Sequence, residues 1–531
     1  MSHSPATKTI ARAAVIVMVG LVLSTMVGLV RHMLIAGVFG TSPDFDSFNA
    51  ANRLPDFLYN LMAGGALASA FIPTYTGFLV AGKRAEAEKL ASAVGSWIFL
   101  LLAVGAVLSV IFAEPLVRSF VAPGFSDPAQ IQTTVSLLRI LMLCPIFFGL
   151  SGLVMGILNA HQRFFFSALA PMFYPLGMIM GLWLLVPHLG IFGLAWGAVL
   201  GAGLHLVIQI PVLLSLHSNY RILLDRDNPA VRSVIRLMAP RLLGQAAVQL
   251  NFLVNTILAS GQPAGSISAL TWAFSLMMMP EIAVAQAGAI AALPTLSAQA
   301  SQGRIDQMRS SLTAVLRAVF FLALPASIGL ILLASPIVRM IFQRGSFDEQ
   351  STQMVVWALY FYASGLVAHS MVEVLARAYY AMQDTRTPAA VSIGGMIVNV
   401  ALSVVLVRAF LASGWMPHGA LALSNTLATV LEMGVLLFCL RRKIQWLFDA
   451  EAWRSIARTG LASLGLAAGL LGWFAATGDL SIWVKGLGGI LLGLALYGGI
   501  SLALGSSEAR SMLRTLVNRI RRRTRKDQTS V

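Results

Sequence analysis

Residues 24–76, STMVGLVRHMLIAGVFGTSPDFDSFNAANRLPDFLYNLMAGGALASAFIPTYT, decide the fold class. They form two long apolar segments joined at FGTSPDFD, but Arg31 lies inside the first segment and Asp46, Arg53 and Asp56 lie along the start of the second. A charge at membrane depth costs roughly 3 kcal/mol on insertion scales, so such residues usually face protein or a watery cavity. The stretch therefore predicts a polar, cationic cavity within a bundle of membrane helices.

The composition of the whole chain indicates the same class. The 531 residues are 57% hydrophobic and only 11% charged, and the mean hydropathy is +0.80. A water-soluble globule of this size would need more polar surface. The formal charge of +16 would suggest nucleic acid in a soluble protein. In a membrane protein, Lys and Arg instead accumulate in the cytoplasmic loops. We therefore predict an all-α, polytopic membrane protein that does not bind nucleic acid.

The chain contains about fourteen apolar segments that are long enough for a helix to cross a bilayer. They are 10–38, 47–80, 90–112, 132–160, 166–187, 191–216, 234–259, 265–298, 310–333, 353–381, 388–411, 418–440, 456–476 and 481–504. With the N-terminus inside, most of the 37 Lys and Arg residues fall in the inner loops and tails. This bias predicts fourteen transmembrane helices with both termini in the cytoplasm.

Two polar breaks divide the chain. The linker HSNYRILLDRDNPAVRSVIR (217–236) follows the sixth segment, and RRKIQWLFDAEAWR (441–454) follows the twelfth. They predict two six-helix lobes, an appended helix pair and a basic cytoplasmic tail, at 1–222, 223–443, 444–505 and 506–531. Parallel repeats of this kind place a substrate site near the membrane midplane.

The sequence carries no signature of an enzyme or of a bound metal. HExxH, GxSxG and Walker motifs are missing, and no loop is long enough to fold as a soluble domain. The two cysteines, Cys144 and Cys439, lie in apolar runs and are too few for a disulfide framework or a thiolate site. We expect neither catalysis nor a cofactor.

Arg31 and Arg53 are the strongest candidates for substrate binding, because a guanidinium fork matches phosphate oxygens in two places and stays charged. The alternative is that each arginine only pairs with an acid such as Asp46 or Asp56. Asn49, Asn52 and Asn60 line the same segment. Their side-chain amides are suited to binding the sugar or peptide groups of a substrate. The alternative is that they form hydrogen bonds between helices.

Other polar residues in apolar segments suggest gating or a cation site. Glu281 follows Pro280, and Glu373 and Glu432 also lie within apolar helices. Each carboxylate is suited to a proton or cation pathway, and the alternative is a structural ion pair. Asn255, Asn399 and Ser403 offer oxygen ligands for a small cation, although a site without a carboxylate would be weak.

Several stretches resemble one known family in order and spacing. They are GLVRHMLIAGVFG, Asp46 ahead of Arg53-Leu54-Pro55, GGALASAFIPTY, and residues 158–181, 239–260, 289–301 and 377–407. These are similar to the MurJ/MviN lipid II flippases of the multidrug/oligosaccharidyl-lipid/polysaccharide exporter superfamily. The resemblance implies two lobes around a central cavity, and a groove for the undecaprenyl tail that is formed by the appended helix pair. It also implies export of lipid II across the bacterial inner membrane by alternating access, with cell-wall synthesis proteins as further partners.

By position, the resemblance makes Arg31 a cavity arginine, Asp46 the acid at the start of helix two and Arg53 a basic residue one turn inside that helix. Ser24 belongs to the same substrate-binding set, and Asp56 and Glu281 join Asp46 as gating or ion-pair residues. The chain departs from the family's arginines at Thr25, Tyr59 and Ser275.

Three other functions are compatible with the same residues. The first is a flippase for another polyprenyl-linked glycan, the second a cation-coupled exporter of amphiphilic compounds, and the third a scaffold of the cell-wall machinery. The energy source stays open among Na⁺, H⁺ and the membrane potential.

Overall fold

The computed structural model describes residues 5–63, 66–217, 219–445, 449–478 and 480–514, and every regular element in those ranges is a helix. The chain forms two compact units, Met1–Ser268 with Arg344–Asp348, and Ala269–Gln343 with Glu349–Val531. The first unit contains α1 (Pro5–Phe39), α2 (Pro43–Ala63), α3 (Ala66–Val80), α4 (Arg84–Ile111), α5 (Ala113–Leu116), a π-helical turn (Val117–Val121), α6 (Pro128–Leu141), α7 (Cys144–Ala160), α8 (Phe164–Leu184), α9 (Val186–Leu189), α10 (Ile191–Val207), α11 (Ile210–Ser215) and α12 (Pro229–Ser260).

The second unit starts at Ala269, within α13 (Ser266–Glu281), whose first residues belong to the first unit. It continues through a π-helical turn (Ile282–Gln286), α14 (Ala287–Ser301), α15 (Ile305–Leu332), α16 (Ala334–Phe342), α17 (Glu349–Ala381), α18 (Arg386–Ala412), α19 (His418–Ile444), α20 (Ala450–Ala476), a third π-helical turn (Val484–Gly488) and α21 (Gly489–Ala503). Residues 507–514 are also helical. Most of the expected tail, residues 515–531, lies outside the described residues.

Eleven stretches of helix in the described ranges are long and apolar enough to cross a membrane. They are Arg84–Ile111, Pro128–Ala160, Phe164–Leu184, Ile191–Ser215, Ser266–Ser301, Ile305–Leu332, Glu349–Ala381, Arg386–Ala412, His418–Ile444, Ala450–Ala476 and Val484–Ala503. The three other expected segments are helical, in α1, in α2 with α3, and in α12. The protein is thus an all-α, multi-pass membrane protein.

Glycines bring α8 and α10 into backbone contact. A Cβ on Gly177 would lie 2.2 Å from the Cα of Gly201, and one on Gly181 would lie 2.4 Å from the Cα of Gly197. Helices in a bilayer gain little free energy by burying apolar surface, because the lipid is itself apolar. Stripes of small residues instead let the helix backbones approach closely enough for van der Waals packing. This contact fixes α8, which carries residues of the candidate site.

The loop at 344–348 belongs to the first unit because it packs on the C-terminal half of α1. The Ser346 N–H donates to the Gly37 carbonyl at 2.8 Å. Gly345 has a φ of +57°, and a Cβ there would lie 2.2 Å from that carbonyl oxygen. Only glycine suits both the left-handed backbone and the close approach.

The appended pair, α20 and α21, packs on α15 within the second unit. Their buried residues Leu466, Leu470 and Tyr497 form a cluster with Phe321 of α15, and the Tyr497 hydroxyl donates to the Phe321 carbonyl at 2.5 Å. A buried apolar contact therefore joins α20 and α21 to α15.

Candidate functional site

The candidate site in the first unit is built around Arg31. Ser24 precedes it by two helical turns on α1, so the two share a face, and Ser24 is half-buried. Nη1 of Arg31 donates to Met178 Sδ at 3.6 Å, and Nη2 lies 2.8 Å from His32 Nε2. The guanidinium lies 6.0 Å from the ring centroid of Tyr174, a cation–π distance.

Arg31 retains unused hydrogen-bonding capacity. Its Nε is buried and has no hydrogen-bond partner in the part of the chain that the structure describes. No acid of that part forms a salt bridge with it within 4.0 Å. Asp56 acts on it only as a nearby charge. A buried donor without an acceptor is costly, so an anionic ligand here would satisfy a group that the fold leaves open.

An aromatic cluster supports Tyr174 behind Arg31. The ring centroid of Phe148, on α7, lies 5.1 Å from that of Tyr174, 4.5 Å from that of Tyr59 and 5.3 Å from that of His205. Nδ1 of His205 is hydrogen-bonded to the Ser151 hydroxyl at 2.6 Å. Tyr59 is therefore a packing residue that helps to position the ring beside Arg31.

On α2, Arg53 and Asp56 form a second polar group. Nε of Arg53 donates to the Thr256 hydroxyl of α12 at 2.8 Å, and Nδ2 of Asn52 donates to Oδ2 of Asp56 at 2.9 Å. The Asp56 charge interacts with those of both Arg53 and Arg31. Asn49 donates to the Phe45 carbonyl of its own helix at 2.8 Å. The structure thus brings Arg31, Arg53 and Asp56 into one electrostatic neighbourhood.

Asp46 has different partners from the arginines. Its Oδ2 accepts the Gly265 N–H at 2.6 Å, and its Oδ1 accepts the N–H and the hydroxyl of Ser268 at 2.7 and 2.5 Å. The side chain is only 3% exposed. A carboxylate at a helix N-terminus satisfies free backbone donors and complements the helix dipole. Asp46 therefore joins α2 to the first turn of α13 inside the first unit.

Glu281 ends α13 in the second unit, and the chain after Pro280 continues as a π-helical turn. The side chain is 6% exposed, and Oε2 finds no hydrogen-bond partner among the described residues. The nearby acid Glu373 pairs with Arg377 at 2.7 Å. Glu281 forms no salt bridge within 4.0 Å in the described ranges.

The three candidate cation ligands lie on two helices, one in each unit. Asn255 is on α12 in the first unit, whereas Asn399 and Ser403 lie one turn apart on α18 in the second, where both are buried. No group of three or more His, Cys, Asp or Glu side chains suited to a metal occurs in the part of the chain searched.

The residues that position the arginines were not among the residues predicted from the sequence. His32, Tyr174 and Met178 contact Arg31, and Thr256 contacts Arg53. His32 was visible as a polar residue beside Arg31 in an apolar segment. Tyr174 and Thr256 lie far along the chain and gave no such signal.

Comparisons with known proteins agree with this architecture. A family model described as "Lipid II flippase MurJ" matches residues 35–492. The chain is 30% identical to the "Probable lipid II flippase MurJ" of Vibrio cholerae over 520 residues, covering 94% of this chain and 97% of that protein.

Solved structures show the same fold. A structure described as "Lipid II flippase MurJ, inward closed conformation" aligns with a TM-score of 0.79 at 23% identity, covering 94% of this chain and 100% of that one. An inward-facing multidrug resistance MATE family transporter of the MOP superfamily aligns with a TM-score of 0.67 at 16% identity, over 81% of this chain and 98% of its own.

Proposed function

The chain belongs to the lipid II flippase MurJ family, and we propose that it moves lipid II from the inner to the outer leaflet of the bacterial inner membrane. Lipid II is the undecaprenyl-pyrophosphate-linked disaccharide pentapeptide of cell-wall synthesis. The eleven membrane-crossing stretches and the family membership support a multi-pass transporter in that membrane. Such a protein moves its substrate without changing it covalently.

The observation that carries this proposal is the environment of Arg31. Two of its three nitrogens face weak or adjustable partners, namely the Met178 sulfur and the His32 ring, and Nε has none among the described residues. A pyrophosphate supplies several anionic oxygens in a geometry that a guanidinium matches in pairs. We therefore assign Arg31 the role of binding the pyrophosphate, with Tyr174 holding the guanidinium plane.

The α2 residues complete the proposed site. Thr256 orients Arg53, and Asp56 supplies a counter-charge to both arginines while no substrate is bound. Asn52, Asn49 and Ser24 are proposed to meet the sugar and peptide groups. When the anionic headgroup enters, it competes with Asp56 for the arginines, which gives Asp56 a gating role. We propose the same for Glu281 in the second unit.

The transport cycle is proposed to be alternating access, in which the substrate pathway opens in turn to the cytoplasm and to the outside. The proposal includes fourteen transmembrane helices, both termini in the cytoplasm, and the lobes 1–222 and 223–443 with the pair 444–505. Either the membrane potential or a cation bound near Asn255, or near Asn399 and Ser403, would bias the cycle. A charge crossing the membrane gains about 2.3 kcal/mol per 100 mV. Contacts with cell-wall synthesis proteins are also part of the proposal.

Complementation tests the proposed function. A bacterial strain depleted of its own lipid II flippase should grow when it expresses this chain and should lyse when it carries an empty vector. The protein must be present in the membrane at a level confirmed by immunoblot. Lysis despite normal abundance would count against lipid II as the substrate and favour another polyprenyl-linked glycan.

A further inference from the structure

Residues 219–224, in the segment between α11 and α12, lie in extended form along α4. The backbone N–H groups of alternate residues donate to acceptors one turn apart on α4: Asn219 to Glu88 Oε2 at 3.2 Å, Arg221 to Ser92 Oγ at 3.1 Å and Leu223 to Ser96 Oγ at 3.0 Å. Four residues of a helix rise about 6 Å, and two residues of extended chain span about 6.6 Å. The two repeats match, so the segment is fixed in register on the helix.

This register determines which side chains the segment presents outward. Ile222, between two bonded residues, is 95% exposed, and Leu224 is 48% exposed. Ile235, on the first turns of α12, is 51% exposed. Three large aliphatic side chains are thus left without cover, two in the linker and one on α12. Apolar side chains combined with basic ones are typical of segments at a membrane interface.

A basic pocket opens beside these side chains, within the first unit. It has a volume of about 440 Å³ and is lined by Trp97, Arg226, Val231, Arg232, Ile235 and Arg236. Arg232 pairs with Asp227 at 2.8 Å. Arg226 and Arg236 have no salt-bridge partner within 4.0 Å in the described part of the chain. The pocket therefore has a net positive charge, to which the N-terminus of α12 adds its dipole.

Trp97 forms an aromatic wall of the pocket and also packs against the buried core of the first unit. The pocket therefore combines basic and apolar surface.

We propose that this linker surface, formed by the exposed aliphatic side chains and the basic pocket, binds an anionic phospholipid of the inner leaflet. The phosphate lies against Arg226 and Arg236, and the acyl chains cover Ile222, Leu224 and Ile235. The chemistry favours a lipid over a free anion, because inorganic phosphate would leave the aliphatic side chains in water. The excess of basic residues places this linker on the cytoplasmic side. The site is separate from the Arg31 site and does not depend on which substrate is flipped.

The test measures lipid binding by the purified full-length protein in neutral detergent. Phosphatidylglycerol or phosphatidylcholine is titrated in, and the bound lipid is counted by native mass spectrometry. We expect the wild type to bind phosphatidylglycerol at least about tenfold more tightly, because each arginine near an anionic headgroup contributes favourably. The R226Q/R236Q variant should lose that preference. Both arginines are exposed and without ion pairs in the described ranges, so the fold should persist, as size-exclusion chromatography will show.

The matched control is R304Q/R386Q, which removes the same charge at two exposed arginines of the second unit. It should keep the preference for phosphatidylglycerol. If both double variants lose the preference equally, the effect is general charge and the site is refuted. If R226Q/R236Q keeps it, the site is likewise refuted.

A second variant separates a lipid from a free anion. Ile222→Asn keeps every arginine but removes an exposed aliphatic side chain, and it should weaken the binding of phosphatidylglycerol. Unchanged binding by this variant, or displacement of the lipid by millimolar inorganic phosphate, would show that the pocket binds free anions and would overturn the proposal.

Discussion

Replacing Arg31 tests the proposed pyrophosphate contact. A guanidinium that binds two phosphate oxygens makes two charge-assisted hydrogen bonds, each contributing about 1.5–3 kcal/mol. The buried Nε, unpaired among the described residues, supplies one of these donors at little cost to the fold, and Nη2, on the same edge of the guanidinium and beside the His32 ring, supplies the other. Arg31→Lys keeps the charge but loses the paired geometry, which predicts a roughly 10- to 150-fold weaker affinity. Arg31→Ala loses both bonds and the charge, so it should abolish transport.

The assay combines growth of a flippase-depleted strain with membrane abundance and the melting temperature of the purified protein. The structure predicts normal abundance for both variants, because no salt bridge within the described residues depends on Arg31. Arg408→Ala, at an exposed arginine far along the chain, is the matched control and should complement fully. The proposed pyrophosphate contact is refuted if Arg31→Ala complements as well as the control, or if Arg31→Lys and Arg31→Ala fail only because the protein does not accumulate.

Three further substitutions test the surroundings of the site. Asp46→Ala should clearly lower the melting temperature in detergent, because it removes three buried hydrogen bonds of about 1–3 kcal/mol each; an unchanged melting temperature would contradict the capping role. Thr256→Val should reduce transport about tenfold at constant melting temperature by releasing Arg53, while Thr256→Ser retains activity; equal activity of the two variants would argue against this contact. Gly181→Ala should reduce folded protein, since its Cβ would lie 2.4 Å from a backbone atom, whereas Gly105→Ala, with open space around it, should not; similar yields would disprove the tight α8–α10 packing.

The sequence predicted the fold class because the bilayer imposes strong constraints on a chain. Runs of about 20 apolar residues can only be helices there, and the structure has helices at all fourteen expected segments. Within the segment 47–80, the described residues on both sides of positions 64–65 are helical, in α2 and α3.

The candidate site was predicted only in part. Arg31 and Arg53 were identifiable because a charge in an apolar segment needs an explanation. Their partners were not, since Tyr174 and Thr256 lie more than 140 residues further along the chain and are ordinary residues in their own helices. Asp46 illustrates the same limit. From sequence its obvious partner was a nearby arginine, but it binds backbone groups of Gly265 and Ser268, whose position depends on the folded unit.

Lipid II flipping by this chain is tested most directly by the exposure of lipid II at the outer face of the membrane in cells where this chain is the only flippase. A membrane-impermeant enzyme that cleaves lipid II is added from outside, and the cleaved fraction is measured by chromatography. We expect cleavage at the level of cells with a native flippase, falling to the depleted background for Arg31→Ala. Cleavage no higher than that background, with the wild-type chain present in the membrane, would show that this chain does not flip lipid II.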